Sequence, residues 1–344
     1  MIATVVSTAD GTPRRVTSGA YVVPLRSANF EPLGDLPAYL QALTREVHVV
    51  VVDGSPPEVF ARHATALGPD VTHIPVEPAL ETRMGKVGAV LTGLRHVKCE
   101  RVVIADDDVR YDVSTLRRVL AWLDEYEVVR PQNYFEPAPW HALWDSSRSL
   151  INRAIGGGDW PGTLAVRRRA VLEAGGYRGD VMFENLELVR TVQAAGGRER
   201  VARDLYVARR PPTTRQFFGQ RVRQAYDELA RPLRALLFLG ILPVLALLAA
   251  VTDWLGPAEL AVAAMAIAEV GRRRSGGGRR FPFIASLLAP AWLLERGVTM
   301  WLALGCRVFL GGVPYRGERL RDAASSKRAL RRAGMSASDP EVVT

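Results

Sequence analysis

VHVVVVDGSPPEVFARHATAL, residues 47–67, decides how the front of this chain folds. Val49 to Val52 form an unbroken β-branched run, which is stiff at χ1 and suits a strand covered on both faces. Asp53 to Pro57 then read as a turn, and EVFARHATAL (58–67) returns to helical spacing. A strand, a turn and a helix in that order make half of a βαβ unit.

The scheme repeats on both sides. GAYVVPLRS (19–27) is a strand and LPAYLQAL (36–43) a helix; VTHIPV (71–76) is a third strand and MGKVGAVLTGLRHV (84–97) a third helix; RVVIADDD (101–108) is a fourth strand. Beyond it come a helix at 114–126, a strand at 127–135, a helix at 140–155, and a glycine-rich loop with a short strand and helix at 156–177. A helix at 182–197 is ended by its glycines. The expected class is α/β, with a mostly parallel central sheet.

Three carboxylates close the fourth strand. Asp106, Asp107 and Asp108 fall at the carboxyl edge, where open parallel sheets collect their ligands. Adjacent anions repel unless a cation is present. Strand alternation puts Asp106 and Asp108 on one side and Asp107 on the other, and two hard oxygen donors suit Mg²⁺ or Mn²⁺ carrying a diphosphate. Alone, the triplet reads rather as a solvated acidic turn, and its neighbours along the chain decide between the two.

Other groups fall at comparable places. Asp53 ends a strand, where a carboxylate can accept hydrogen bonds from a ribose or base, or simply cap the turn. Lys86 lies between Gly85 and Gly88 at a helix start, a place suited to phosphate. Glu184 and Glu187 open a helix around Asn185, and either carboxylate suits a general base or a complement to the helix dipole. QRVRQAYDE (220–228) offers Arg221 and Arg223 to a diphosphate or to lipid phosphates.

The apolar residues crowd into the last third. LRALLFLGILPVLALLAAV (233–251) carries only Arg234 and approaches the length of a membrane span. PAELAVAAMAIAEVG (257–271) is shorter, and 281–312 is broken by Pro290 and Glu295-Arg296, so two short re-entrant or interfacial helices are expected there. The net charge of +9 is concentrated beside these runs, at Arg231 and Arg234, in RRRSGGGRR (272–280) and in 315–332, a pattern that points to anionic lipid. No zinc-finger, basic-zipper or RNP-type pattern accompanies it, which argues against nucleic acid. The N-terminus does not read as a signal peptide, and Cys99 and Cys306 read as reduced packing residues.

In their order these segments resemble the inverting family 2 glycosyltransferases of GT-A fold, particularly membrane-bound members such as ceramide glucosyltransferase and its bacterial relatives. The resemblance runs from about residue 19 to 226. It implies that Asp53 and Lys86 bind the nucleotide, that Asp106 and Asp108 are the DxD pair for metal and diphosphate with Asp107 beside them, and that Gly162 and Thr163 lie near the sugar. The family's ED motif falls on Glu184-Asn185, so asparagine replaces the usual base, and Glu184 is expected to take that role. The interfacial QxxRW motif falls on Gln220, Arg223 and Gln224, with glutamine in place of tryptophan. The implied protein is a cytoplasm-facing, multi-pass enzyme of the cell (inner) membrane that transfers sugar from a nucleotide-sugar, a UDP-sugar, to a lipid or polyprenyl-linked acceptor, with Mg²⁺ or Mn²⁺. Its parts are a tail (1–18), a GT-A domain (19–226), membrane or interfacial helices (227–314) and a basic tail (315–344). A catalytically impaired membrane scaffold, a nucleotidyltransferase and a processive polysaccharide synthase remain the rival readings.

Overall fold

The computed structural model describes residues 19–338; the N-terminal tail expected at 1–18 and the end of the basic tail, 339–344, lie outside them. Strands and helices alternate through β1 (Ala20–Leu25), α1 (Leu36–Leu43), β2 (His48–Asp53), α2 (Pro57–Leu67), β3 (Thr72–Pro75), α3 (Gly85–His96) and β4 (Arg101–Ala105). There follow β5 (Val109–Arg110), α4 (Val113–Trp122), β6 (Val128–Phe135), α5 (Trp140–Ile155), β7 (Thr163–Arg167), α6 (Arg168–Leu172) and α7 (Glu184–Ala194). Then come β8 (Glu199–Arg209), α8 (Thr214–Tyr226), α9 (Pro232–Thr252), α10 (Leu255–Arg273), α11 (Ile284–Leu287), α12 (Ala289–Phe309), β9 (Val313–Tyr315), β10 (Glu318–Leu320) and α13 (Lys327–Ser338).

Eight strands form one sheet in the order β3-β2-β1-β4-β7-β6-β8-β5. β1 lies between β2 and β4 and parallel to both, whereas β7 runs antiparallel between β4 and β6. β8 pairs parallel with β6 and antiparallel with β5. Side chains alternate across the sheet: Val22, Val50, Val52 and Ile104 belong to one core, and Tyr21, Val49, Val51 and Val103 to the other. The register sets the edge. Ala105 faces Thr163, so the Asp106 N–H donates to the Gly162 carbonyl at 2.8 Å, while Val109 faces Arg209.

The first core continues into the C-terminal helices, where Trp292 and Met300 of α12 are fully buried. Gly271 of α10 crosses α5 so closely that a Cβ would stand 1.9 Å from the Leu150 carbonyl oxygen. Among the described residues α9 is the one helix long and apolar enough to cross a membrane. The third apolar run departs from the two short helices expected: a four-residue α11 precedes the 21-residue α12. Pro290 sits in the first turn of α12, where its missing N–H is no loss, and Glu295 is drawn inward by Arg221 and Trp144. The β9–β10 hairpin begins at the end of the segment expected as membrane helices and runs into the tail expected from 315; the chain after it returns to the front domain, where the N–H groups of Met182 and Phe183 donate to the Asp322 and Ala323 carbonyls.

Candidate active site

Two cavities meet at the carboxyl edge. The larger, of about 860 Å³, is lined by Gly54, the three aspartates, Arg110, Arg210, Gln220 and the hairpin residues Tyr315 and Arg316; the smaller, of about 160 Å³, lies toward α5, α7 and the end of α8. Lys86, Asp106 and Arg209 line both, and so form the boundary between them.

Lys86 enters from the first turn of α3, and its ammonium lies 2.6 Å from Asp106 Oδ1 and 2.8 Å from Glu184 Oε1. Desolvation disfavours that charge, but Asp106 and Glu184 more than offset it and hold the ammonium above its ordinary value. Arg209 stands opposite, with Nε 2.7 Å from Asp108 Oδ2 and Nη2 3.4 Å from Asp106 Oδ2. Asp106 and Asp108 therefore share one guanidinium. Asp107 is more exposed; desolvation in the cleft, then the charges of Asp108 and Asp106, push its carboxyl up to about 6. Desolvation likewise holds Asp108 above its ordinary value, against the pull of Arg209.

These carboxylates fit a divalent cation. Asp108 Oδ1 is buried without a hydrogen-bond partner, and at Asp107 the repulsion from Asp108 and Asp106 outweighs the opposing pull of Arg209 and Arg110. Among the described residues no three His, Cys, Asp or Glu side chains are grouped as a complete metal cage, so a cation held here would need further ligands from outside the protein, as Mg²⁺ commonly takes.

Other expected residues are placed differently. Asp53 does not line the cleft, although Gly54 does. Its buried carboxylate turns inward, 2.7 Å from His63 Nδ1 and 3.1 Å from His73 Nε2, and accepts from the Ser55 N–H at 2.9 Å. Burial opposes its charge, but the hydrogen bonds from His73, Ser55 and His63 prevail and bring it down to about 2. The carboxylate is thus committed within the protein, and the neighbouring turn is what reaches the cleft. Glu184 lines the smaller cavity, yet Lys86 already occupies one of its oxygens. Asn185 lines it too and donates to the Pro161 carbonyl at 3.2 Å.

On α8 the motif separates. Gln220 lines the larger cavity and Gln224 the smaller. Arg223 lines neither; its guanidinium lies 5.9 Å from the Tyr315 ring. Arg221 is buried against Asp145 at 2.7 Å and Glu295 at 2.5 Å, and is therefore unavailable to a diphosphate. The guanidinium at the carboxylates is Arg209, from a strand that the sequence reading does not assign. Alternation of Leu205 and Val207 ahead of Arg209-Arg210-Pro211-Pro212 is the signal that finds it.

Residues 35–175 match the family model for glycosyl transferase family 2, and the mostly parallel α/β sheet fits the GT-A fold. No curated protein matches the chain. Among solved structures it is similar to the mannosyltransferase PcManGT from Pyrobaculum calidifontis, in complex with GDP-Man and Mn²⁺, at 21% identity and a TM-score of 0.48, over 83% of this chain and 87% of that one. It is also similar to glucosyl-3-phosphoglycerate synthase from Mycobacterium tuberculosis, in complex with Mn²⁺, UDP and glucosyl-3-phosphoglycerate, at 16% identity and a TM-score of 0.38, over 59% and 75% of the two chains. Mannosyl-3-phosphoglycerate synthase from Rubrobacter xylanophilus aligns at 15% identity and a TM-score of 0.39, over 63% and 74%.

Proposed function

We propose that this chain is a family 2 glycosyltransferase that moves a sugar from a nucleotide-sugar donor to a hydroxyl of a lipid or lipid-linked acceptor, with inversion at the anomeric carbon. The observation that carries the reading is the pair of cavities meeting at Lys86, Asp106 and Arg209, which gives a large cleft and a smaller adjoining chamber a shared charged boundary.

The nucleotide occupies the larger cavity beside Gly54, with its diphosphate directed toward the boundary. Asp106 and Asp108 would hold Mg²⁺ or Mn²⁺, which supplies positive charge to the diphosphate when bound. Arg209 takes the part expected of Arg223, supported by the place of its guanidinium beside Asp106 and Asp108, where it can offset negative charge on a leaving phosphate. Lys86 fixes Asp106 and Glu184 in place and adds a further positive charge. The acceptor enters the smaller cavity.

The lipid acceptor is supported by α9, whose Leu233, Leu236, Leu237 and Leu247 are exposed, and by its position next to the end of α8. An apolar surface of that extent is normally covered by protein or membrane. Membranes containing the protein should be incubated with a panel of radiolabelled nucleotide sugars, including UDP-sugars, and extracted for lipid. Label in the organic phase that requires Mg²⁺ or Mn²⁺ is the expected result. No transfer or hydrolysis with any donor favours a scaffold, and release of pyrophosphate favours a nucleotidyltransferase.

A further inference from the structure

The smaller cavity lacks the carboxylate expected at Asn185, but four acids besides Asp106 line it: Asp159, Glu184, Asp227 and Glu228. Three of them are committed. Asp159 accepts from Arg148 and Asn152, each at 2.8 Å, and from Ser149 at 2.5 Å. Glu228 is paired with Arg231 at 2.7 Å and Arg234 at 2.9 Å, and Glu184 with Lys86 at 2.8 Å.

Asp227 differs. Among the described residues its side chain makes no hydrogen bond or ion pair, and its Oδ1 is shielded from solvent without a partner. A carboxylate is costly to leave unpaired out of water, so an acid that lines a cavity with no protein partner marks a place for a donor from outside the protein. The fold creates this position: α8 ends at Tyr226, and Asp227 opens the short 3-10 turn that leads into α9.

We propose that Asp227 is the general base of this site, and that the donor its carboxylate awaits is the acceptor hydroxyl. The assignment rests on the glycosyl-transfer reading above. The Asp227 carboxylate takes the hydroxyl proton while the hydroxyl oxygen bonds to the anomeric carbon. The bond from that carbon to the diphosphate oxygen breaks, and its electron pair leaves with the nucleoside diphosphate. Asp227 then returns the proton to water.

The surroundings suit that task. Desolvation, the Glu184 charge from α7 and the adjacent Glu228 hold the Asp227 carboxyl well above its ordinary value, with Arg231 and Arg296 of α12 opposing. Arg296 is itself fully buried, and none of its guanidinium nitrogens has a hydrogen-bond partner. A carboxylate with raised proton affinity is a stronger base, whereas Glu184 is already committed to Lys86.

The test compares the wild-type full chain with Asp227→Asn, Asp227→Glu and Glu184→Gln, in membranes, using whichever labelled nucleotide sugar the wild type consumes. Asp227→Asn should lower kcat by about 10²–10⁴-fold, leave the donor KM and binding of the corresponding nucleoside diphosphate within about threefold, and abolish the acid limb of the pH–rate profile. Asp227→Glu should recover part of the rate, with the limb displaced. Asp227→Asn that turns over normally with its acid limb intact overturns the assignment and leaves the glycosyltransferase reading standing. Loss of nucleoside-diphosphate binding or folding in parallel with rate makes Asp227 structural and also overturns it. A wild type that neither transfers nor hydrolyses any nucleotide sugar removes both.

Discussion

Asp106 and Asp108 are held by one guanidinium, and that sharing makes Arg209 the most consequential side chain of the boundary. Arg209→Gln should lower kcat/KM by about 10²–10³-fold, as removal of a preorganised charge stabiliser commonly does. Lysine should restore only part of it, lacking the planar fork that spans two carboxylates. Arg223→Gln, outside both cavities, should stay within about twofold in the same assay. Asp53 belongs to stability instead. Its folded pKa of about 2 lies below the ordinary value of 3.8, so its contribution is complete above about pH 4 and is lost as pH falls toward 2. Asp53→Asn should cost about 2 kcal/mol at pH 7 and much less at pH 2, measured by denaturant unfolding; an equal loss at both pH values would contradict the histidine-bound carboxylate. That aspartate was visible in the sequence as a strand-end acid. Its partners were not, because His63 and His73 reach it from α2 and from β3.

At the scale of elements, the first seven follow the periodicity closely because each strand and helix is stabilised by its own local pattern. The eleven-residue β8 is harder to read. ERVARDLYVAR is charged and only half-buried, and it becomes a strand through pairing with β6 on one side and β5 on the other. A similar dependence on neighbours sets the α5–α10 crossing. Gly271→Ala places a methyl group 1.9 Å from the Leu150 carbonyl oxygen, so the helices must separate. A loss of about 2–4 kcal/mol is expected, read as a lower thermal midpoint in detergent, whereas Gly219→Ala, with open space at its Cβ, should cost little.

At the scale of the whole molecule, the C-terminal helices and the front domain are one packed unit. Glu295 of α12 accepts from both Trp144 and Arg221, and the Ser147 hydroxyl of α5 donates to the Ala285 carbonyl at 2.7 Å. Ending the chain after residue 231 would strip Glu295 from Arg221 and expose the face of α5 that α10 and α12 cover, so weaker folding as well as loss of lipid-linked product is expected. Under the membrane proposal, the full chain should remain in the pellet after an alkaline carbonate wash; release of the intact protein into the supernatant would contradict it. The three apolar runs were visible from composition. The packing of the third was not, because Pro290 and Glu295-Arg296 read as breaks until α8 and α5 supply Glu295 with its partners.

The sequence by itself determined the βαβ alternation, the position of the acidic triplet at a strand end and the apolar character of the last third, since each depends on residues close along the chain. Tertiary structure alone decided which charges meet. Lys86, Asp106, Glu184 and Arg209 come from four separate segments, and only the sheet register and the packing of α3 and α7 bring them within bonding distance. It also decided which acid in the smaller cavity stays unpaired. Asp227 differs from Glu228 beside it not in chemistry but in having no arginine within reach of its carboxylate for an ion pair.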